Sequence, residues 1–254
     1  MIDIHSHILP GVDDGAQTEA DSIEMAREAV EQGVHTIIAT PHHRNGKYEN
    51  SRENIEKQAD ILNGLFSTED IPLTVLAGQE VRMNGDMIDD LESGELLSLH
   101  HTKYLFVEFP SGHIPRYMQQ MLFDIQVAGY TPIIVHPERN RELMEHPDRL
   151  YEIVRKGALT QVTAASVVGK FGKKIQKFTH QLIEADLTHF IASDAHNTTT
   201  RGFCMDAAFQ MVKEQYGAES YYMFLENSEL LIDNQNVNRM EPSKVRKKKF
   251  LGLL

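Results

Sequence analysis

The chain has 254 residues and a formal net charge of −12, with 41% hydrophobic and 24% charged residues. This composition is that of a globular protein with a substantial core, and the acidic balance argues against nonspecific binding of nucleic acid. No apolar run approaches the ~20 residues of a membrane-spanning helix and no secretory signal opens the sequence. With Cys204 as the single cysteine, we expect a cytoplasmic protein without disulfides or stable membrane insertion.

The chain alternates short apolar runs, typical of β-strands, with helical patterns. The first run, IDIHSH, precedes a helix that Thr18 and Asp21 are expected to cap and Gly33 to end. Six further units follow: VHTIIAT (34–40) with a helix over about 49–64, LTVLAGQE (73–80) with a short helix, KYLFVEF (103–109) with a helix from Pro115 to about Ala128, TPIIVHP (131–137) with a helix ending near Gly157, ALTQVT (158–163) with a helix from about Lys170, and HFIASD (189–194) with a helix from about Arg201. This alternation predicts an α/β protein with a parallel sheet, open or closed.

The C-terminal part carries a weaker pattern. From Ala218 onward we expect one or two helical turns and a tail, with residues 227–254 forming a helical and basic C-terminal tail of a single domain that spans residues 1–254. The basic run KVRKKKF, from Lys244 to Phe250, is typical of a solvated terminus, with a membrane-surface or partner contact as the alternative.

Nearly every apolar run ends in a side chain that can bind a metal ion. These side chains are His5, His7, His42, His43, Glu80, Glu108, His136, Asp194 and His196. Because loops after parallel strands converge at one face, we expect these side chains to lie together. Glu80 and Glu108 lie inside apolar runs, where a carboxylate needs a partner charge or a metal. The sequence therefore predicts a multinuclear metal site.

The mixture of ligands narrows the choice of metal. Carboxylates and imidazoles without a thiolate are typical of manganese, iron or zinc in hydrolytic sites. A carboxylate that bridges two ions would explain why there are more ligands than one ion needs. Strand periodicity does not decide between Asp13 and Asp14, or between His42 and His43, as the ligand.

Other nucleophilic chemistries are disfavoured. Cys204 continues as CMDAAFQ, inside a predicted helix, without the arginine-closed phosphate loop that a cysteine phosphatase needs, so we expect it in the core. Serine hydrolase elbows and a glycine-rich nucleotide loop are also missing from the sequence.

The motifs HSH (5–7), TPH (40–42), HPER (136–139) and SDAH (193–196), with the two glutamates at strand ends, resemble the polymerase and histidinol phosphatase (PHP) family. IDIHSHILPGVDDGA, AGQEVR, VHPERN and SDAHN are most similar to its branch of bacterial manganese-dependent protein-tyrosine phosphatases of capsule and exopolysaccharide synthesis. The resemblance covers most of residues 1–226. It implies a distorted (β/α)7 barrel of PHP type with three metal ions, manganese being favoured over iron or zinc.

The resemblance also implies a ligand set. The first ion would be held by His5, His7, Glu80 and Asp194. The second would share Glu80 and add Glu108 and His136, and the third would be held by Asp14, His42 and His196. His43, His100, His101 and His113 are then expected to lie behind the ligands or on the surface.

The implied reaction is hydrolysis of phosphotyrosine, on proteins such as bacterial tyrosine kinases. Two arginines, Arg139 in HPER and Arg201 after SDAH, are expected to bind the phosphoryl oxygens, because a guanidinium matches phosphate with two parallel hydrogen bonds. A tyrosine leaving group has a pKa near ~10, so a strong general acid is less necessary than for serine.

The sequence leaves two alternative functions open and argues against two others. A small-molecule phosphatase of the histidinol-phosphate type would use the same site, and a regulatory domain could keep the ligands without turnover. An amidohydrolase barrel also begins with an HxH strand, but no lysine ends a strand here to act as its bridging ligand. A nuclease is disfavoured by the acidic balance.

Overall fold

The computed structural model describes residues 1–246. The strands in this part of the chain are β1 (Ile2–Ser6), β2 (Thr36–Ala39), β3 (His42–His43), β4 (Thr74–Ala77), β5 (Glu80–Arg82), β6 (Tyr104–Glu108), β7 (Thr131–Val135), β8 (Leu159–Thr163) and β9 (Phe190–Ala192). The helices are α1 (Glu19–Glu31), α2 (Arg52–Thr68), α3 (Met87–Ser93), α4 (Met118–Val127), α5 (Arg141–Glu145), α6 (Asp148–Arg155), α7 (Ala164–Val167), α8 (Lys173–Glu184) and α9 (Met205–Ile232).

The strands form a closed parallel barrel. One sheet has the order β1-β2-β4 and the other β3-β5-β6-β7-β8-β9, and every pair is parallel. The short breaks between β2 and β3 and between β4 and β5 divide two strand positions, so the barrel has seven positions. Its ends join where Asp194 N–H donates to His5 C=O at 2.8 Å and His7 N–H donates to Ala195 C=O at 2.9 Å. The predicted distorted (β/α)7 architecture is confirmed.

The alternation of side chains places the polar groups at one end of the barrel. Phe106 and Phe190 belong to an apolar cluster that Leu231 and Val237 extend towards the C-terminal part of the chain. Two residues after Phe106 on the same face of β6 comes Glu108, since successive side chains of a strand point to opposite faces. The strand ends therefore carry polar side chains above an apolar layer.

The first helix begins and ends where the sequence predicted. Thr18 caps α1 by accepting a hydrogen bond from Asp21 N–H, and the Asp21 side chain accepts from Thr18 N–H in return. Gly33 follows the helix with φ of 79°, a backbone conformation that favours glycine.

The C-terminal part is more helical than the prediction of one or two turns. The helix α9 passes a break at Gly217, where φ is 86° and ψ is 176°, and continues to Ile232. The second half is held by burial: Phe224 and Leu231 are buried, and the Asn227 amide donates to His189 C=O at 2.9 Å. These tertiary contacts stabilise the second half of the helix, although the sequence there has only a weak helical periodicity.

Two further predictions were wrong in detail. Cys204 is not inside a helix, because it precedes α9 with φ of 54° and is only partly buried. The helix predicted to end near Gly157 is divided into α5 and α6, because Pro147 interrupts the helical hydrogen bonds.

The basic run Lys244–Phe250 lies partly outside residues 1–246. Within the described part, Lys244 Nζ lies 3.7 Å from Asp148 Oδ2. Among residues 1–246, no helix combines the length and apolar character that crossing a bilayer requires.

Candidate metal centre

All the ligands predicted from the sequence lie at the same end of the barrel, at or just after strand ends. Seven of the nine form three overlapping groups, each with ligand atoms within 4.8 Å of one another, and His136 and Asp194 lie beside them. The groups are His5, His7 and Glu80; His42, Glu80 and Glu108; and His7, Asp14, His42 and His196.

The first group has Asp194 beside it. Asp194 Oδ1 lies 3.5 Å from His5 Nε2 and 3.2 Å from His7 Nε2. Glu80 Oε2 lies 3.5 Å from the same His5 nitrogen and 3.4 Å from the His7 nitrogen. Two imidazoles and two carboxylates thus converge on one point, as a four-ligand site requires.

Glu80 takes part in two groups at once. Its Oε2 lies 2.8 Å from His42 Nδ1, and its Oε1 lies 2.7 Å from His136 Nε2. Glu108 Oε2 is 4.0 Å from the same His42 nitrogen. Because Oε2 also faces His5 and His7 while Oε1 faces His136, the carboxylate has the arrangement of a bridging ligand.

The structure distinguishes the two aspartates between which strand periodicity could not decide. Asp14 Oδ1 lies 3.4 Å from His42 Nε2 and 3.6 Å from His196 Nε2, so Asp14 faces the third group. Asp13 instead accepts hydrogen bonds, from the His42 backbone N–H at 3.0 Å, and its Oδ2 lies 2.7 Å from His7 Nδ1. Asp13 therefore orients His7 from behind.

The neighbouring histidines lie away from the ligand groups. His43 is buried and its Nδ1 accepts a hydrogen bond from Asn50 N–H at 3.2 Å. His101 Nε2 lies 3.5 Å from Glu56 on α2. His100 belongs to the same short turn, and His113 is exposed in the loop after β6.

The donor set fits divalent cations. Four buried ligand atoms make no hydrogen bond of acceptable geometry within the described residues: His42 Nδ1, Glu80 Oε2, Asp194 Oδ1 and His196 Nε2. The first two lie 2.8 Å apart as an ion pair. A buried polar atom without a partner costs about 1–3 kcal/mol, and more when it is charged. Because these atoms face one another across the ligand groups, cations between them would satisfy all four.

Charge in this site is balanced by protons on imidazoles. Burial lowers the pKa of His42, but the carboxylates of Glu80 and Asp14 outweigh burial and raise it to about 10. Burial raises the pKa of Glu80, but the charges of His42 and His5 hold it well below its usual range. A cation can replace such protons, so metal binding is expected to release them.

Two other ligand histidines are neutral. Burial, together with the charge of Arg139, lowers the pKa of His136 to about 4. Burial and the charge of His7 lower the pKa of His196 to about 4 as well. A neutral imidazole keeps the lone pair that a metal ion needs.

Sequence reasoning missed the groups that orient the ligands. Gln161 Oε1 lies 2.8 Å from His5 Nδ1, which leaves Nε2 of His5 facing the metal groups. Asp13 does the same for His7. Such partners fix the tautomer and orientation of a ligand histidine. A signal for Gln161 existed, since it is a polar residue inside the apolar run ALTQVT.

Both predicted arginines reach the site. Arg139 Nη2 lies 2.7 Å and Arg201 Nη2 3.1 Å from the same atom, Oδ2 of Asp194. The two arginines line a cavity of about 340 Å³, which we call the phosphate cavity, together with His42, Glu108 and His136. Arg82, which the sequence did not single out, binds Glu108 with two hydrogen bonds of 2.8 and 2.9 Å.

Comparison with known proteins gives a consistent result. The family model described as "Capsular polysaccharide synthesis, CpsB/CapC" matches residues 1–233. The chain is 52% identical to tyrosine-protein phosphatase YwqE of Bacillus subtilis, with 99% of both chains covered. It is 32% identical to tyrosine-protein phosphatase CpsB of Streptococcus pneumoniae, covering 92% of this chain and 99% of the relative.

Solved structures agree with the fold. A crystal structure from a study of YwqE and CpsB, described as unique metal-dependent tyrosine phosphatases, superposes with a TM-score of 0.95 at 52% identity and covers 97% of this chain and 100% of the other. A β-aspartyl dipeptidase from Fervidobacterium islandicum gives a TM-score of 0.56 at 15% identity, over 96% of this chain and 75% of the other. The second likeness concerns the barrel alone.

Proposed function

Because the chain belongs to the CpsB/CapC family of capsular polysaccharide synthesis, we propose that its metal centre hydrolyses phosphotyrosine in proteins, bacterial tyrosine kinases among them. At the level of reaction class, the chain is a metal-dependent tyrosine-protein phosphatase. The observation that supports the finer proposal is the position of two guanidinium groups, Arg139 and Arg201, on the phosphate cavity beside the ligand groups.

The proposed ligand assignment is the one that the family resemblance implies. It adds Asp194 and His136 to the residues of the three groups and gives each histidine to one ion. His5, His7, Glu80 and Asp194 would hold the first ion, Glu80, Glu108 and His136 the second, and Asp14, His42 and His196 the third. We propose manganese as the metal, because the donors are oxygen and nitrogen atoms without a thiolate, a set that iron and zinc also accept.

When bound, the cations would neutralise phosphoryl oxygens and activate a water molecule. The side chains of the protein bind the phosphoryl group and orient the ligand histidines. Arg139 and Arg201 bind the phosphoryl oxygens with charge-assisted hydrogen bonds and hold the group beside Asp194. Asp13 and Gln161 keep His7 and His5 in the orientation that presents their Nε2 atoms.

The test is an assay of the purified full-length protein on a phosphotyrosyl peptide, the matching phosphoseryl peptide and histidinol phosphate, with added manganese or with a chelator. We expect the phosphotyrosyl peptide to be preferred and chelation to abolish turnover. A preference for histidinol phosphate would instead identify a small-molecule phosphatase.

Cys204→Ala serves as the control for cysteine chemistry. Cys204 is not among the residues that line the phosphate cavity, and burial raises the pKa of its thiol, which makes it a poorer nucleophile. The variant should therefore keep its activity. A folded Cys204→Ala protein without activity would contradict the metal-dependent mechanism.

A further inference from the structure

A second cavity opens on the same face of the barrel as the metal centre. It measures about 660 Å³ and is lined by residues that include Met83, Pro110, His113, Arg116 and Tyr117. Met83 follows β5, and residues 110–117 follow β6. Both segments leave the barrel at the carboxyl ends of the strands, where the metal ligands also lie. We call this space the Arg116 cavity.

One loop separates the Arg116 cavity from the phosphate cavity. Phe109 and Ser111 line the phosphate cavity, whereas Pro110 and His113 line the Arg116 cavity. The loop is held in place by Asn140, whose amide donates to Pro110 C=O at 2.8 Å and to His113 C=O at 3.2 Å. A polypeptide with its phosphotyrosine in the phosphate cavity would therefore reach the Arg116 cavity by crossing this loop.

The Arg116 cavity has a positive charge that no carboxylate of residues 1 to 246 neutralises. Arg149 on its rim is paired with Glu142, and Glu142 also accepts a hydrogen bond from Ile114 N–H at 2.7 Å. Arg116 is exposed and makes no ion pair with any residue from 1 to 246. Since Arg149 is neutralised by Glu142, Arg116 leaves the lining of the cavity with a positive charge, although the chain as a whole has a net charge of −12.

The cavity on the opposite side of the metal centre has mainly negative charge in its lining. It measures about 490 Å³ and is lined by Asp14, Asp21 and Glu24, with Lys47 as the basic residue. The charge of the mouth is therefore asymmetric. An acidic substrate residue is attracted to the side of Arg116 and repelled from the side of Asp21 and Glu24.

We propose that the Arg116 cavity binds a carboxylate side chain of the substrate protein close to its phosphotyrosine, on one flank only, and that Arg116 is a specificity-determining residue. This inference rests on the proposed function, because it concerns the polypeptide that surrounds the phosphotyrosine. An ion pair at such an exposed position should change kcat/KM by about twofold to fivefold. The change should weaken as salt screens the charges.

The experiment compares four phosphotyrosyl peptides that differ only beside the phosphotyrosine. The first carries glutamates on the N-terminal flank, the second glutamates on the C-terminal flank, the third glutamines on both, and the fourth lysines on both. For the wild-type protein, we expect one of the two glutamate peptides to have a lower KM than the glutamine peptide. The glutamate peptide with the charges on the other flank should have no lower KM than the glutamine peptide.

Variants identify the residue responsible. Arg116→Ala should abolish the preference, and Arg116→Glu should reverse it in favour of the lysine peptide. The matched control is Arg155→Ala, which removes an exposed arginine that pairs with Glu152 on α6, outside the Arg116 cavity. This control should keep the wild-type preference. Metal content and melting temperature are measured for each variant.

Two results would overturn the proposal: a wild-type protein that hydrolyses all four peptides equally, or an Arg116→Ala protein that keeps the full preference. Failure to hydrolyse any phosphotyrosyl peptide is a different outcome, because it would overturn the proposed function and with it the role of Arg116.

Discussion

Arg139 and Asp194 form an ion pair inside the candidate site, with Nη2 of the arginine 2.7 Å from Oδ2 of the carboxylate. The other oxygen of Asp194 faces His5 and His7. Asp194 therefore connects the ligand groups to the arginine, and a phosphoryl group bound by Arg139 lies next to the metal centre. Arg201 approaches the same Oδ2 atom from the loop after β9.

Arg139→Ala should reduce kcat/KM on a phosphotyrosyl peptide by about 30- to 1000-fold. The loss corresponds to roughly 2–4 kcal/mol of charge-assisted hydrogen bonding to the transition state. Arg139→Lys should recover activity only in part, since lysine supplies the charge without the planar pair of donors. Metal analysis is expected to give the wild-type content for both variants. An alanine variant with near wild-type kcat/KM would leave Arg201 as the phosphate-binding arginine.

Glu80→Ala should lose more than one equivalent of metal. Its Oε2 faces His5 and His7 of the first proposed ion and its Oε1 faces His136 of the second, so one substitution removes a ligand from both. Elemental analysis after dialysis measures the loss. The control is Glu53→Ala, which removes an exposed glutamate on α2. Full metal content in Glu80→Ala would show that the bridging assignment is wrong.

Glu138 is expected to position the loop that carries His136 and Arg139. Its buried Oε1 accepts hydrogen bonds from Thr163 N–H at 3.0 Å, Thr163 O–H at 3.0 Å and Ser166 O–H at 2.7 Å. Glu138→Ala leaves these buried donors unpaired, which costs about 1–3 kcal/mol, and should lower both kcat/KM and the free energy of unfolding.

Glu138→Gln keeps an acceptor oxygen at the same place and should restore most of the activity. The readouts are kcat/KM and urea unfolding for the two variants. If alanine and glutamine reduce activity equally, the hydrogen bonds of Oε1 are not what positions the loop.

Because of His189, the free energy of unfolding should decrease in acid. It is buried, and its Nδ1 accepts a hydrogen bond from Thr160 N–H at 3.1 Å. Burial and the charge of Arg239 lower its pKa to about 3. In the unfolded chain the pKa is near ~6.5, so between these values the unfolded state binds a proton that the folded state does not. Stability should therefore fall as the pH falls below about 6.5.

His189→Asn removes this titration and keeps an acceptor. Between pH 7.5 and pH 5, the wild type should lose about 2 kcal/mol of unfolding free energy more than this variant. Urea unfolding at the two pH values measures the difference. His146→Asn, at an exposed histidine, is the control and should follow the wild type. Parallel pH profiles for wild type and His189→Asn would exclude the effect.

The pattern of the sequence was sufficient for a parallel α/β architecture and for gathering the candidate ligands at one end of it, and the family resemblance added the closed barrel. Apolar runs followed by helical patterns predict parallel strands, and parallel strands end at one face of a barrel. His5, Glu80 and Glu108 could therefore be placed in one site without any coordinates. The Thr18 cap was also predictable, because a capping box joins residues only three positions apart.

Only the tertiary structure decided which side chains face one another. Asp13 and Asp14 share a loop without periodicity, and the family resemblance alone favoured Asp14. The path of the loop shows that Asp13 supports His7 and that Asp14 faces His42 and His196. Gln161 reaches His5 across 156 positions of sequence. Contacts over such separations depend on how the strands are arranged around the barrel, and local propensity carries no information about them.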